Sequence, residues 1–166
     1  QPGDYLTTTL LEQGNPARAM VPSDGSLGLD WIALDFNDEG WTSGTTGVGF
    51  DTRGAYDGLM GLDLDSPPDG QDPISMRNIN ASVYIRIPFD VEQEVSQFDE
   101  LTLNMRFDDG FVAFLNGVEI AHANAPGRDG EPGELQWDSD ATGSNHATRS
   151  PMNFDLLQHR DLLRDG

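Results

Sequence analysis

The sequence predicts an all-β fold, a β-sandwich of short strands joined by long polar loops, and three observations carry that expectation. Apolar residues alternate with period two in two stretches, and an Asn-Gly pair joins two β-rich runs. Nineteen Gly and ten Pro are spread through 166 residues, leaving little room for long helices. The length favours a single domain over residues 1–166, large enough to close one core.

Taken in order, residues 1–28 form an N-terminal segment. Within it DYLTTTLL (4–11) is β-prone and long enough to act as an added or donor strand. LDWIALDF (29–36) reads as a strand with Trp31 in the core, followed by the Gly-rich loop NDEGWTSGTTGVGFDT. The polar segment LDLDSPPDGQDPIS then leads to ASVYIRIPF (81–89). There Ala81, Val83, Ile85, Ile87 and Phe89 share one face, and Tyr84, Arg86 and Pro88 the other. Pro88 suits an edge or a strand end, since it cannot donate to a ladder.

In ELTLNMRF, Leu101, Leu103, Met105 and Phe107 alternate with Thr102, Asn104 and Arg106. Asp108-Asp109-Gly110 turns the chain, and FVAFL and VEIAH flank Asn116-Gly117, the signature of a type I′ hairpin. Three consecutive antiparallel strands, a meander, are therefore expected. Residues 123–151 form a long loop with one apolar cluster at Leu135 and Trp137; such a stretch carries function or is pinned by its own contacts. In the closing NFDLLQHRDLL, Asp155 precedes Gln158 by three residues and is placed to cap one short helical turn or two.

Charge narrows the partners. Twenty-nine acids face nine basic residues, all of them Arg, for a net charge of −20. A nucleic-acid partner needs a cationic face, which nine scattered Arg do not supply, and an anionic membrane is disfavoured for the same reason. No apolar stretch approaches the ~20 residues that span a bilayer, so no membrane insertion is expected. Without Cys there are no disulfides, thiolate metal sites or cysteine nucleophiles. A chain opening on Gln1-Pro2 reads as a processed or excised piece.

Catalytic signals are thin. His122, His146 and His159 are scattered, with no His-x-x-x-His pair and no nucleophile elbow. Adjacent carboxylates are expected in so acidic a chain, and Asp108-Asp109-Gly110 is accounted for by turn geometry. The domain reads as non-catalytic. For carbohydrate, Trp41 and Trp137 lie in loops, where an exposed indole stacks on a pyranose while Asp138, Asn145, His146 and Arg149 bond its hydroxyls. The competing reading has each Trp plugging an end of the sandwich, and it is favoured for Trp41. For structural Ca²⁺, a hard cation that takes six to eight oxygens, the candidates are Asp35 and Asp38 in DFNDEG and Asp63, Asp65 and Asp69 in DLDSPPDGQD.

DFNDEGWTSGTTGVGFDT, YIRIPFDV and LTLNMRFDDGFVAFLNGVEIAHANAP, in that order, resemble galactose-binding-like β-sandwich modules of secreted and surface proteins of planctomycetes and related bacteria. WDSDAT (137–142) and NFDLLQHRDLLRDG (153–166) are similar to later segments of the same modules, so the likeness covers residues 29–166. Phe114 stands where those modules have Tyr. The resemblance implies a galactose-binding-like jelly roll, one structural calcium, and an extracellular or cell-surface location. It further implies attachment of a larger protein to polysaccharide or cell-surface glycan.

One departure matters. In the modules the LLRDG-like segment leads into a further core strand, whereas this chain stops at Gly166. Three explanations stand open: the last strand is lacking, the N-terminal segment fills the gap, or a neighbouring chain donates a strand. The last would make the chain a structural subunit of an extracellular filament or surface layer, self-associating through an incomplete sheet by strand complementation.

Overall fold

The computed structural model describes residues 6–65, 75–147 and 150–164. In chain order its strands are β1 (Pro16–Met20), β2 (Thr42–Thr45), β3 (Val48–Gly49), β4 (Leu62–Asp63), β5 (Tyr84–Arg86), β6 (Thr102–Met105), β7 (Phe111–Leu115), β8 (Val118–Ala123) and β9 (Met152–Asp155). The helical content among the described residues is three 3-10 turns, Asp30–Ile32, Val95–Gln97 and Leu157–Leu162, so the fold is all-β. Among the described residues no helix is long and apolar enough to cross a membrane.

β1, within the N-terminal segment, is the middle strand of an antiparallel sheet β2-β1-β5. DYLTTTLL contributes no strand in its described part, residues 6–11. Small side chains let β1 sit centrally: Ala17 and Ala19 are buried, and Ala19 packs with Leu62, Leu64, Val48, Met76 and Val83. β3 and β4 form a short parallel pair beside it. A second apolar cluster gathers Val91, Leu115 and Leu163 with Leu10, Phe89, Phe98, Leu101 and Ile120.

The hairpin forms as read from the sequence. Asn116 (φ 49°) and Gly117 (φ 87°) both adopt the positive angles of a type I′ turn between β7 and β8. The Leu101–Phe107 alternation also holds, with even positions exposed and odd ones partly or fully buried. The C-terminal helical turn lies at Leu157–Leu162, and the Asp155 carboxylate accepts the Leu157 N–H at 2.9 Å.

The meander does not form: β6 pairs with β9, antiparallel, rather than with β7. The turn between β6 and β7 is held from outside. Asp109 is left-handed (φ 58°) and exchanges hydrogen bonds with Asn145, whose amide also donates to the Phe107 carbonyl at 2.7 Å. Phe111 then packs on Phe107 (4.8 Å between centroids) and on Phe154 of β9 (5.3 Å), tying the two-stranded sheets together through rings.

Residues 29–36 are not a strand either; Trp31 sits in the 3-10 turn Asp30–Ile32, and Leu29 and Leu34 are 57% and 59% exposed. The backbone carbonyls a ladder would need are taken by Arg86. Its guanidinium donates to the carbonyls of Trp31 (2.5 Å), Ala33 (2.9 Å) and Leu34 (3.4 Å) and pairs with Asp38 at 2.8 Å. The face of β5 expected to be wet is thus covered: Tyr84 is buried, and Trp31 stacks on it at 4.4 Å.

Candidate functional site

The sugar and metal residues singled out from the sequence fall in separate places. Trp41 joins an aromatic group with Trp31 (6.4 Å), Phe36 (5.6 Å) and Tyr84 (6.4 Å), half-buried over the β2-β1-β5 sheet. Trp137 is half-buried against Gly25, where an added Cβ would come 2.9 Å from its ring. The Trp137 carbonyl accepts from the Asn80 amide at 3.3 Å, and Asp138 beside it is exposed. Asn145 and His146 lie together elsewhere, at the Phe107–Asp109 turn. Arg149 lies outside the described residues.

The calcium candidates are similarly dispersed. Asp35 is exposed. Asp38 sits between two arginines, Arg86 at 2.8 Å and Arg18 at 3.6 Å, which are cross-strand partners on β5 and β1. Facing like charges destabilise a ladder, and Asp38 offsets that repulsion. The Asp63 carboxylate accepts the Asp65 N–H at 2.9 Å, while Asp65 holds Ser75 (3.2 Å) and Arg77 (3.4 Å). Asp69 falls outside the described residues. Among the described residues no group of three or more His, Asp or Glu side chains is arranged to hold a metal ion.

A different set of side chains does converge. The loop 51–56, the Asp108-Asp109 turn and residues 144–146 enclose an open polar cleft of about 520 Å³, lined by Asp51, Arg53, Tyr56, Asp108, Asp109, Ser144 and His146. Each wall is braced. The Asp51 carboxylate accepts the N–H groups of Arg53 (2.8 Å) and Tyr56 (2.7 Å), which hold it below the usual carboxylate range. Burial raises the Tyr56 phenol above its ordinary value, and a hydrogen bond to Asp108 adds to the rise. The Asp109 carbonyl accepts from the Asn124 amide at 2.6 Å, and its carboxylate accepts the Asn145 N–H at 3.3 Å.

This arrangement brings three carboxylates, a half-buried phenol, an imidazole and a guanidinium to the lining of one cleft. It suits a ligand that presents several hydrogen-bond donors along one edge. His146 and, through its bracing, Asn145 were legible in the sequence as loop residues. Tyr56 and Arg53 were not singled out; their one signal is the Asp51-x-Arg53 spacing, where an Asp accepts the N–H two residues on. Comparison with family models, curated proteins and solved structures found no match for the chain.

Proposed function

We propose that the chain is a non-catalytic, extracellular carbohydrate-binding or surface-attachment module of a larger protein, built as a galactose-binding-like jelly-roll sandwich. The glycan site is the cleft between the 51–56 loop and the turns at 108–109 and 144–146. One observation carries this reading: the braced carboxylates of Asp51, Asp108 and Asp109 sit with Tyr56 and His146 in one open cleft. Carboxylates accept the hydroxyls of a sugar edge, and a flat ring covers its apolar face. The resemblance of residues 29–166 to such modules supports the same reading independently.

The experiment is a glycan array followed by titration of the retained glycans against the wild type, Tyr56→Ala and His146→Ala. Each variant is expected to bind about tenfold more weakly, the loss of roughly 1.4 kcal/mol that one ring contact supplies. An array on which the folded wild type retains no glycan refutes the proposal.

A further inference from the structure

We propose that Asn116-Gly117 is a covalent modification site, a deamidation point held shut by the C-terminal turn Leu157–Leu162 and opened when that turn lifts. The proposal is independent of the carbohydrate reading above. Asn116 is the one Asn of the sequence followed by Gly, which has no side chain to shield its backbone nitrogen. In the reaction the Gly117 nitrogen attacks Asn116 Cγ and gives up its proton, the Cγ–Nδ2 bond breaks, and Nδ2 leaves as ammonia. Water then opens the five-membered imide at either carbonyl, leaving aspartate or isoaspartate at position 116. One amide and one water become one carboxylate and one ammonium, with no change of oxidation state.

The fold opposes ring closure in two ways. Asn116 (φ 49°) and Gly117 (φ 87°) hold a type I′ turn, whose first central residue keeps ψ near about +30°. Closing the imide requires Asn116 Cβ and the Gly117 nitrogen to eclipse about the Cα–C bond, which takes ψ far out of the turn. The second restraint is remote. Asn116 Nδ2 donates to the Leu162 carbonyl at 2.8 Å, so the side chain that must swing toward Gly117 is tied to the C-terminal turn.

That turn has anchors of its own. Leu163, just past it, is buried and packs with Leu115 and Val91, and the Arg160 guanidinium donates to the Phe98 carbonyl at 3.0 Å. A short 3-10 turn opens locally at lower free energy than the whole chain unfolds, so its lifting sets how often Asn116 is released. The product differs from the starting residue in the one property the contact uses. A carboxylate only accepts hydrogen bonds and cannot donate to the Leu162 carbonyl. Each modified chain therefore holds its C-terminal turn more weakly, a lasting record that the turn has opened.

The test follows deamidation at position 116 by peptide mass spectrometry in folded wild type, folded Arg160→Gln and urea-unfolded wild type at neutral pH. Hydrogen exchange at the Leu163 N–H, which donates to the Arg160 carbonyl at 3.0 Å, reports opening of the turn. Folded wild type is expected to react at least about tenfold more slowly than the unfolded chain. Arg160→Gln should raise the folded rate several-fold while the β7–β8 amides stay protected. Mild urea, below the unfolding transition, probes the same gate without a variant: the rate should climb in step with Leu163 exchange. Deamidated wild type should exchange Leu163 several-fold faster than unmodified protein.

A folded chain that reacts at the unfolded rate overturns the proposal. So does a folded rate that stays flat while Leu163 exchange quickens, or one that follows only the β7–β8 amides. If Arg160→Gln does not fold, or leaves Leu163 exchange unchanged, the mild-urea series decides between these outcomes.

Discussion

Removing the Arg86 guanidinium is expected to destabilise the chain by about 3 kcal/mol, more than any other surface-facing charge described here. The side chain is 18% exposed and gathers the loop 31–38 through three carbonyls and the Asp38 carboxylate. Arg86→Met keeps the aliphatic stem but leaves Asp38 with only the longer 3.6 Å contact to Arg18. Each charge-assisted bond contributes about 1.5–3 kcal/mol where its partner stays dry. The full sum is not realised, because the exposed loop opens and water takes up the freed carbonyls. About 3 kcal/mol remains, equivalent to roughly a 6–12 °C fall in Tm for a chain of this size.

Arg86→Lys separates charge from shape. A lysine restores one ion pair to Asp38 yet has no planar fork to reach the carbonyls of Trp31 and Ala33 together. It should recover less than half of the loss. Urea unfolding supplies the free energies, and near-ultraviolet circular dichroism reports whether Trp31 still stacks on Tyr84. A loss under about 1 kcal/mol for the Met variant, or a Lys variant as stable as wild type, refutes the anchoring argument.

Other outcomes can be checked on the same footing. Glu119 is held below the ordinary glutamate value by hydrogen bonds from Arg128 and His122, so its contribution is present above about pH 4.5 and lost as the pH falls through the lowered value. Glu119→Gln should therefore cost about 1–2 kcal/mol at pH 7 and almost nothing in strong acid, measured by urea unfolding across that range. Gly47 has φ +88°, and an added Cβ would run into the Leu59 carbonyl oxygen, so Gly47→Ala should cost about 3 kcal/mol. Gly49→Ala, with open space around the new methyl, should cost under about 1 kcal/mol; thermal melts of the pair check the argument. Asn116→Asp tolerates the turn angle but sets a carboxylate against the Leu162 carbonyl that the amide now donates to at 2.8 Å. It should speed proteolysis near Leu162 by several-fold, a loss of about 1 kcal/mol.

What could be read in the sequence was local, and what could not was decided by distant partners. The Asn116-Gly117 turn is specified by two adjacent residues whose angles only a few side chains tolerate, and it appears as read. The β6 alternation is likewise local. Its pairing partner is not: Met152–Asp155 is four residues long with mixed burial, too short for periodicity to show. The turn that would have joined β6 to β7 in a hairpin is instead held by Asn145, a contact across more than thirty residues. Residues 29–36 misled for a related reason. Their apolar residues have strand-like character, but Arg86, itself read as solvent-facing, collects their carbonyls and folds them into a turn.

That same covering layer places Trp41 away from Asn145 and His146, with which it was grouped in the sequence. Loop tryptophans are read as ligand platforms because loops ordinarily lie in solvent. Here the loop is drawn onto β5, so Trp41 spends its faces on Trp31, Phe36 and Tyr84. Trp137 meets a similar end, because Gly25 lacks the Cβ that would hold the indole away. Both indoles are half-buried, and the ring lining the open cleft is the smaller Tyr56, brought there by the N–H that anchors its loop to Asp51. A cleft with a phenol in place of an indole presents less apolar area, so direction-specific bonds to its carboxylates must supply more of the selectivity. Under the carbohydrate proposal, acid placement rather than aromatic count is therefore the feature to follow at this cleft.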